Sequence, residues 1–265
     1  DRVSCHLASL ADNFYLDPEV VDTLRASTTH DEAEATIHGR WRKPKEAIFY
    51  QMADANIIPH PGDPRRPVDL SMDLGDKSII LASQPIKVMV RRASGVIVRV
   101  DGLLVVDELL GENLSARELC AKWKERKGSK WRLGPDSLIC LDPKADRDQV
   151  REVKEAFGVD EPDGPSVRRT NPKRDGYYRE FGFRVVNAAL CDLDGNRRLF
   201  FSRPNLGRDP RGVINAARAF KRKPNGQPSR DNLLDHAADA LRYEVVARLH
   251  LPRDQLAQPA ADRAA

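Results

Sequence analysis

Two aspartates lie four residues apart on a segment whose pattern predicts a helix. In SRDNLLDHAADALRYEVV, residues 229–246, the apolar residues recur at helical spacing and form a core-facing stripe: Leu234, Ala238, Leu241 and Val245. Asp235 and Asp239 fall at the margin of that stripe, with Arg242 close by, and not on the far solvent side. Like charges at this spacing repel by a few tenths of a kcal/mol. The pair therefore indicates either a solvated flank or two carboxylates that a cation neutralises.

Two further aspartates end segments that resemble strands. Asp73 ends the alternating part of VDLSMDLG, residues 68–75, where Gly75 permits a close approach of backbone or phosphate. Asp142 follows the apolar residues 138–141 and precedes a proline. Because ligands gather at the carboxyl ends of strands in α/β sheets, we expect Asp73 and Asp142 to converge with Asp239.

Converging carboxylates repel one another unless a cation lies between them. Hard oxygen ligands suit Mg²⁺ or Mn²⁺. Two such ions, about 3.5–4 Å apart, can activate a water and stabilise the leaving oxygen of a phosphodiester. Any one of these aspartates alone is more often a turn former or a cap, but all three beside basic segments favour a metal-dependent nuclease.

The basic residues are concentrated in two segments, although the net charge of the 265 residues is only +4. The segment from Arg197 to Arg230 contains ten Lys and Arg residues and one acidic residue, Asp209. The segment from Lys122 to Arg132 contains six Lys and Arg residues and one acidic residue, Glu125. Such clusters suit a polyanion, of which nucleic acid is the commonest. The residues expected to contact DNA phosphates are Lys122, Lys124, Arg197, Arg198, Arg203, Lys221, Arg222 and Lys223.

The order of elements predicts a mixed β-sheet flanked by helices on both faces. A β-meander begins at Val68, and alternating helices and strands follow it. Helices are predicted over 115–126, capped by Ser115, and over 146–158, ending at Gly158. A polar loop is predicted over 159–180 and a disordered tail over 251–265.

The cysteines and the hydropathy pattern bear on location. The four cysteines have no CxxC spacing and fit reduced thiols of a cytosolic protein. No run of about 18 apolar residues occurs, so no membrane association is predicted. The chain begins without Met, and we expect it to be a fragment of a longer protein.

The final helix, DNLLDHAADALRY, resembles the DHaxDAxRY signature of the large terminase subunits of tailed bacteriophages or prophages, which are DNA-packaging motors. VDLSMDLGDKS and LICLDP resemble, in the same order, the strands that supply acids in the terminase nuclease. SLADNFYLDPEVVDTLRAS resembles the region after the ATPase core. The resemblance implies an RNase H-like α/β nuclease domain over 63–250, preceded over 1–62 by the trailing end of the ATPase region and a linker.

The resemblance also implies a site with two Mg²⁺ or Mn²⁺ ions. Asp73 would bridge both ions, Asp142 would ligate one and Asp239 would complete the catalytic triad. Asp235 would be an auxiliary metal ligand, and His236 occupies a position where the family often has a histidine. Asp142 is favoured as the second acid because it ends an apolar strand, but VVDELLGEN offers three alternatives: Asp107, Glu108 and Glu112.

The activity implied is endonucleolytic cleavage of concatemeric double-stranded DNA in the host bacterial cytoplasm. The implied partners are DNA, the upstream ATPase domain of the same protein, the small terminase subunit and the portal protein. No GxxxxGK[ST] phosphate loop occurs, so this fragment is not expected to bind ATP. Two alternatives stay open: a non-catalytic DNA-binding or docking domain of a packaging motor, and another RNase H-like enzyme such as a resolvase or transposase.

Overall fold

The structure is a computed structural model. It describes residues 46–92, 94–142, 144–159, 166–169, 178–229 and 234–249, together with Val20 and Ala26. The strands are β1 Ile57–Ile58, β2 Asp69–Asp73, β3 Lys77–Arg91, β4 Ile97–Glu112, β5 Leu138–Leu141, β6 Ser166–Arg169 and β7 Leu199–Ser202. The helices are α1 Ala116–Lys127, α2 Arg147–Phe157, α3 Tyr178–Leu190, α4 Val213–Ala219 and α5 Asp235–Leu249, with a short 3₁₀ helix at Asp54–Asn56.

The strands form one mixed sheet in the order β1-β7-β4-β3-β2-β5-β6. Strands β2, β3 and β4 make an antiparallel meander at its centre. On one side β5 pairs parallel to β2 and β6 parallel to β5; on the other side β7 pairs parallel to β4 and β1 parallel to β7. The carboxyl ends of β2 and β5 therefore lie side by side at one edge of the sheet.

Helices cover both faces of the sheet, as the sequence predicts. Helices α1 and α2 pack on one face, where Met72 and Trp123 belong to the same buried cluster. Helices α3, α4 and α5 pack on the opposite face, where Leu81, Phe183 and Leu241 are buried together. The apolar stripe predicted for α5 is buried along its whole length, with no member more than 6% exposed.

The caps predicted from the sequence are present. The Ser115 hydroxyl accepts a hydrogen bond from the Glu118 N–H at the start of α1, and Asp146 caps α2 in the same way. Gly158 ends α2 with φ of 64°, a conformation that favours glycine.

One prediction about the chain's organisation needs correction. The segment 159–180 is not one loop, because β6 occupies Ser166–Arg169 and α3 begins at Tyr178. Independently of the predicted domain division, β1 at Ile57–Ile58 joins the sheet and Phe49 is buried in the core. Most of 1–45 and the predicted tail over 251–265 lie outside the described residues. In the described ranges no helix has the length and apolar content to cross a membrane.

Truncating the buried face of α5 tests its role in the core. Leu241 is fully buried, so Leu241→Ala is expected to lower the free energy of unfolding by about 2–5 kcal/mol through lost apolar contact and a residual cavity. Urea unfolding followed by circular dichroism measures the change. Met89→Ala, at a side chain that is 66% exposed, is the control and should change stability by less than about 0.5 kcal/mol. Equal effects of the two substitutions would contradict the packing described for α5.

Candidate active site

Strand β2 directs its odd-numbered side chains towards α5. The Ser71 hydroxyl donates a hydrogen bond to the carbonyl of Ala240, which fixes the middle of the strand to the helix. Because side chains alternate along a strand, Asp69 and Asp73 point to the same face as Ser71. The two buried aspartates thus stand at opposite ends of one strand, and both meet α5.

The end of α5 remote from Asp73 is held by an ion pair between half-buried Arg248 and buried Asp69. Arg248 donates to both carboxylate oxygens of Asp69, each at 2.6 Å, and Asp69 is 1% exposed. The Leu138 N–H also donates to Asp69, at 2.7 Å. One turn before Arg248, the fully buried Glu244 accepts from the Ser83 hydroxyl, and burial raises the pKa of Glu244 well above its ordinary value. These contacts fix the position of α5 along β2.

At the other end of β2, Asp73 contacts His236 on α5. The Nδ1 atom of His236 lies 2.6 Å from Asp73 Oδ2. Burial raises the pKa of Asp73 to about 6; the carboxylates of Asp239 and Asp142 add to the rise, and the hydrogen bond with His236 opposes it. The pKa of His236 is itself raised, chiefly by the same hydrogen bond. Asp73 thus lies in a concentration of negative charge.

Asp239 projects from the next turn of α5 and is held by two arginines. Arg179, from the start of α3, donates through Nη2 to Oδ2 at 2.9 Å. Arg242, on α5 itself, donates through Nε to Oδ1 at 3.1 Å. The aromatic rings of Phe183 and Tyr243 lie 5.7 and 4.7 Å from the Arg242 guanidinium. The carboxylate is therefore neutralised by cations of the chain itself.

Asp142 completes the acidic group from β5. It directly follows the strand, is half-buried, and its Oδ1 accepts from the Lys144 N–H at 2.8 Å. Its charge raises the pKa of Asp73. The pKa of buried Tyr243 is raised by burial and by the charges of Asp239, Asp73 and Asp142. The three acids that the sequence singled out therefore act electrostatically on one small region.

The three alternative second acids on β4 are engaged elsewhere. Asp107 binds Lys127 Nζ at 2.6 Å and Trp131 Nε1 at 2.8 Å, on the sheet face opposite α5. Glu108 accepts from the Val213 N–H at the start of α4, at 2.7 Å, and burial raises its pKa to about 7. Glu112 pairs with Arg211. None of the three is among the main influences on the pKa of Asp73.

The donor set is chemically suited to a hard divalent cation. Carboxylates supply oxygen ligands, which Mg²⁺ prefers. The Oδ1 atom of Asp235 is buried without a hydrogen-bond partner, so this oxygen has unused capacity to bind a cation. Within the described part of the chain, no three His, Cys, Asp or Glu side chains are already grouped as a metal site. The observed ion pairs of Asp239 would have to yield before a metal could bind there.

Among the eight basic residues predicted to contact DNA, Arg197, Arg198 and Arg222 donate hydrogen bonds within the fold through their side chains. Arg197 donates to Asn56 Oδ1 at 2.8 Å and to a backbone carbonyl. Arg198 donates to the Ala26 carbonyl, and burial lowers its pKa. Arg222 makes a two-point ion pair with Glu180. Arginine-rich composition does not by itself distinguish these structural roles from phosphate binding.

The other predicted basic residues lie nearer the surface. Lys122 is half-buried, and the exposed ones are Lys124, Arg203, Lys221 and Lys223. Lys221 and Lys223 are the sequence neighbours of Arg222, which pairs with Glu180 on α3. Lys122 and Lys124 belong to α1 on the opposite face of the sheet.

Sequence analysis missed Arg179 and Asp69. Arg179 falls in the segment predicted to be a loop, and its contact spans 60 positions to Asp239, so no local signal reveals it. Asp69 resembles an ordinary polar position in an alternating strand, and its partner Arg248 is 179 residues away. The only available hint was the unusual density of charge on an otherwise apolar helix.

Comparison with known proteins gives the fold. No family model and no curated protein matches the sequence. A large terminase from a thermophilic bacteriophage superposes with a TM-score of 0.59 at 15% identity over 91% of this chain and 55% of that one. The complex of the same terminase with ATP-γ-S gives 0.57 at 14% identity, over 90% and 54%. The match to the large terminase nuclease of thermophilic phage G20c covers 74% of this chain and 97% of that one, at 12% identity and a low TM-score of 0.41.

This chain therefore has the terminase-like α/β fold that the sequence resemblance implied. Its mixed sheet with helices on both faces is the α/β arrangement predicted from the sequence. The chain spans about half the length of the large terminase chain that it matches.

The raised pKa of Asp73 predicts how stability depends on pH without metal. Between its ordinary value of 3.8 and about 6, the folded protein binds a proton that the unfolded chain releases, so the free energy of unfolding falls as pH rises. The two-unit difference corresponds to about 3 kcal/mol at most. The raised pKa of His236 extends the fall above about 6.5. Asp73→Asn should flatten the part of the curve between about pH 4 and 6.

Urea unfolding in EDTA, at four evenly spaced pH values that begin at about pH 4 and end at neutral pH, measures this effect. Asp101→Asn, at an exposed aspartate paired with Lys87, is the control for loss of one carboxylate. Parallel curves for the wild type and Asp73→Asn would contradict the electrostatic description of the site.

Proposed function

We propose that this chain is the metal-dependent endonuclease part of a viral DNA-packaging terminase, and that it cleaves concatemeric double-stranded DNA by two-metal phosphodiester hydrolysis. The main support is the convergence of Asp73, Asp142 and Asp239 from β2, β5 and α5. Three carboxylates brought close together destabilise a fold through mutual repulsion unless a cation neutralises their charge. The fold shared with a large terminase agrees with this interpretation.

In this proposal Asp73, Asp142 and Asp239 hold Mg²⁺ or Mn²⁺, with Asp235 as an additional oxygen ligand. The ions supply an activated water and charge stabilisation of the leaving oxygen. Asp73 must lose its proton to act as a ligand, and its raised pKa means that metal binding strengthens as pH rises towards about 6. His236 orients the Asp73 carboxylate through their hydrogen bond.

Duplex DNA would approach the site along exposed cations without its sequence being read. Lys221 and Lys223 are exposed on either side of Arg222 in the sequence and suit contacts with phosphates. Lys124 and Arg203 are also exposed. A DNA contact by α1 would require a second surface, since α1 packs on the other face of the sheet.

The rest of the packaging machinery belongs to the same proposal. An ATPase domain upstream in the intact protein would supply the motor, a small terminase subunit would share site selection, and the portal protein would dock the motor to the capsid. This fragment itself would not bind ATP, and the protein would act in the cytoplasm of the bacterial host.

One observation favours a non-catalytic rival. Asp239 already pairs with Arg179 and Arg242, and Asp73 with His236, as expected if the acids only stabilise a DNA-binding or docking module. The two functions differ in metal binding. A docking module should show no stabilisation by Mn²⁺, whereas the nuclease should be stabilised in proportion to the logarithm of Mn²⁺ concentration above its Kd.

Plasmid cleavage tests the proposed activity. Supercoiled plasmid should be nicked and linearised with Mn²⁺ or Mg²⁺ and left intact with EDTA. Asp73→Asn and Asp239→Asn should each lower the rate by about 100-fold or more, since losing one group that stabilises transition-state charge costs roughly 10²–10³. Glu112→Gln, at a surface ion pair, is the matched control and should keep the activity. Cleavage that survives both active-site substitutions would refute the assignment, and a preference for branched junctions would favour a resolvase.

The identity of the second acid is tested separately. Asp142→Asn should abolish cleavage, while Glu108→Gln should retain it because Glu108 is occupied at the start of α4. Thermal unfolding of each variant establishes that it is folded. Loss of cleavage in folded Glu108→Gln, with Asp142→Asn active, would reverse the assignment.

A further inference from the structure

Arg179, the second residue of α3, forms an ion pair with Asp239, whose carboxylate the proposed metal site requires. Its Nη2 lies 2.9 Å from Asp239 Oδ2, while Arg242 binds the other oxygen. Both oxygens of Asp239 are thus bound to guanidinium groups. A divalent ion that ligates Asp239 has to compete with at least one of them, since two cations sharing one oxygen repel each other.

The two arginines differ in their freedom to leave. Arg242 is 4% exposed in its side chain, lies on the same helix as Asp239 and is enclosed by aromatic rings. It also packs against Gly182, where an added Cβ would lie 2.5 Å from Arg242 Cδ. The Phe183 ring also lies 5.7 Å from the Arg179 guanidinium, but Arg179 comes from a different helix and its side chain is 28% exposed. Arg179 is therefore the cation that can be displaced.

Arg179 also has unused hydrogen-bonding capacity. Its Nε is buried and has no hydrogen-bond partner. A planar guanidinium that offers Nε and Nη2 together matches two oxygens of a phosphate, which it binds in a fork-like geometry. In the structure Nη2 of this pair donates to Asp239, and Nε does not donate to any group.

We propose that Arg179 exchanges its partner during the reaction: it neutralises Asp239 before metal binds, and it binds a phosphate of the DNA backbone once a divalent ion has taken Asp239. This inference rests on the proposed nuclease function. The exchange keeps the acidic group balanced in charge at both stages. It also links metal loading to substrate positioning through one side chain.

Metal and DNA binding, measured without cleavage, test the exchange. The Arg179→Gln substitution removes the competing charge, so Mn²⁺ should bind about tenfold more tightly than to the wild type. Titration calorimetry without DNA measures this affinity. The size of the effect follows from the shift of roughly one to three units that a nearby charge causes in a carboxylate pKa. The same variant should bind a short duplex about tenfold more weakly in Ca²⁺, followed by fluorescence anisotropy. Arg179→Lys keeps the charge but loses the fork, so its Mn²⁺ affinity should stay near that of the wild type while duplex binding weakens.

Arg184→Gln is the matched control, because Arg184 is exposed on the same helix. It should leave Mn²⁺ affinity unchanged. A merely structural Arg179 predicts the opposite sign, namely weaker Mn²⁺ binding in Arg179→Gln as Asp239 loses its position. Unchanged or weaker Mn²⁺ binding in a variant with a wild-type melting temperature would overturn the exchange alone. Absence of Mn²⁺ binding to the wild type would overturn the proposed function and the exchange together.

Discussion

The docking of α5 across β2 is the constraint on which the rest of the structure depends. Three contacts fix it: the Asp69–Arg248 ion pair at one end, the Ser71–Ala240 hydrogen bond in the middle, and the Asp73–His236 contact at the other end. The ion pair holds a defined geometry because loss of Arg248 leaves the charge of buried Asp69 uncompensated, at a cost of about 3–5 kcal/mol. This geometry brings the acids of α5 to the carboxyl ends of β2 and β5.

The same docking creates the electrostatic problem that defines the site. Burial raises the free energy of the ionised form of Asp73, and the charges of Asp239 and Asp142 add to that penalty. The chain offsets this with a proton shared between Asp73 and His236 and with guanidinium groups around Asp239. A divalent cation is the natural replacement for those charges, which is why a metal-dependent function and an arginine that yields to metal belong to one physical picture.

The two faces of the sheet have different roles. The face covered by α1 and α2 holds Trp123, Trp131 and the Asp107–Lys127 pair, and it supports the strands. The face covered by α3, α4 and α5 holds the acidic group and Arg179. Residues before the predicted domain boundary contribute to this second face, since Phe49 packs against Phe183 with ring centroids 5.6 Å apart. The unit that positions the site is thus larger than its acidic motifs suggest.

Local sequence determined the elements whose signals are short-range. The caps at Ser115 and Asp146, the end of α2 at Gly158, the strand 138–141 and the buried stripe of α5 all follow from contacts within a few residues, and all are present. The candidate acids were found because their types and their places at the ends of elements are visible in the chain. Tertiary structure alone decided the strand order, the breaking of segment 159–180 into β6 and α3, and the partners of each charge. Arg179 and Asp239 are 60 residues apart, and Asp69 and Arg248 are 179 apart. Pairings over such separations depend on how helices pack on a sheet, which no local pattern encodes.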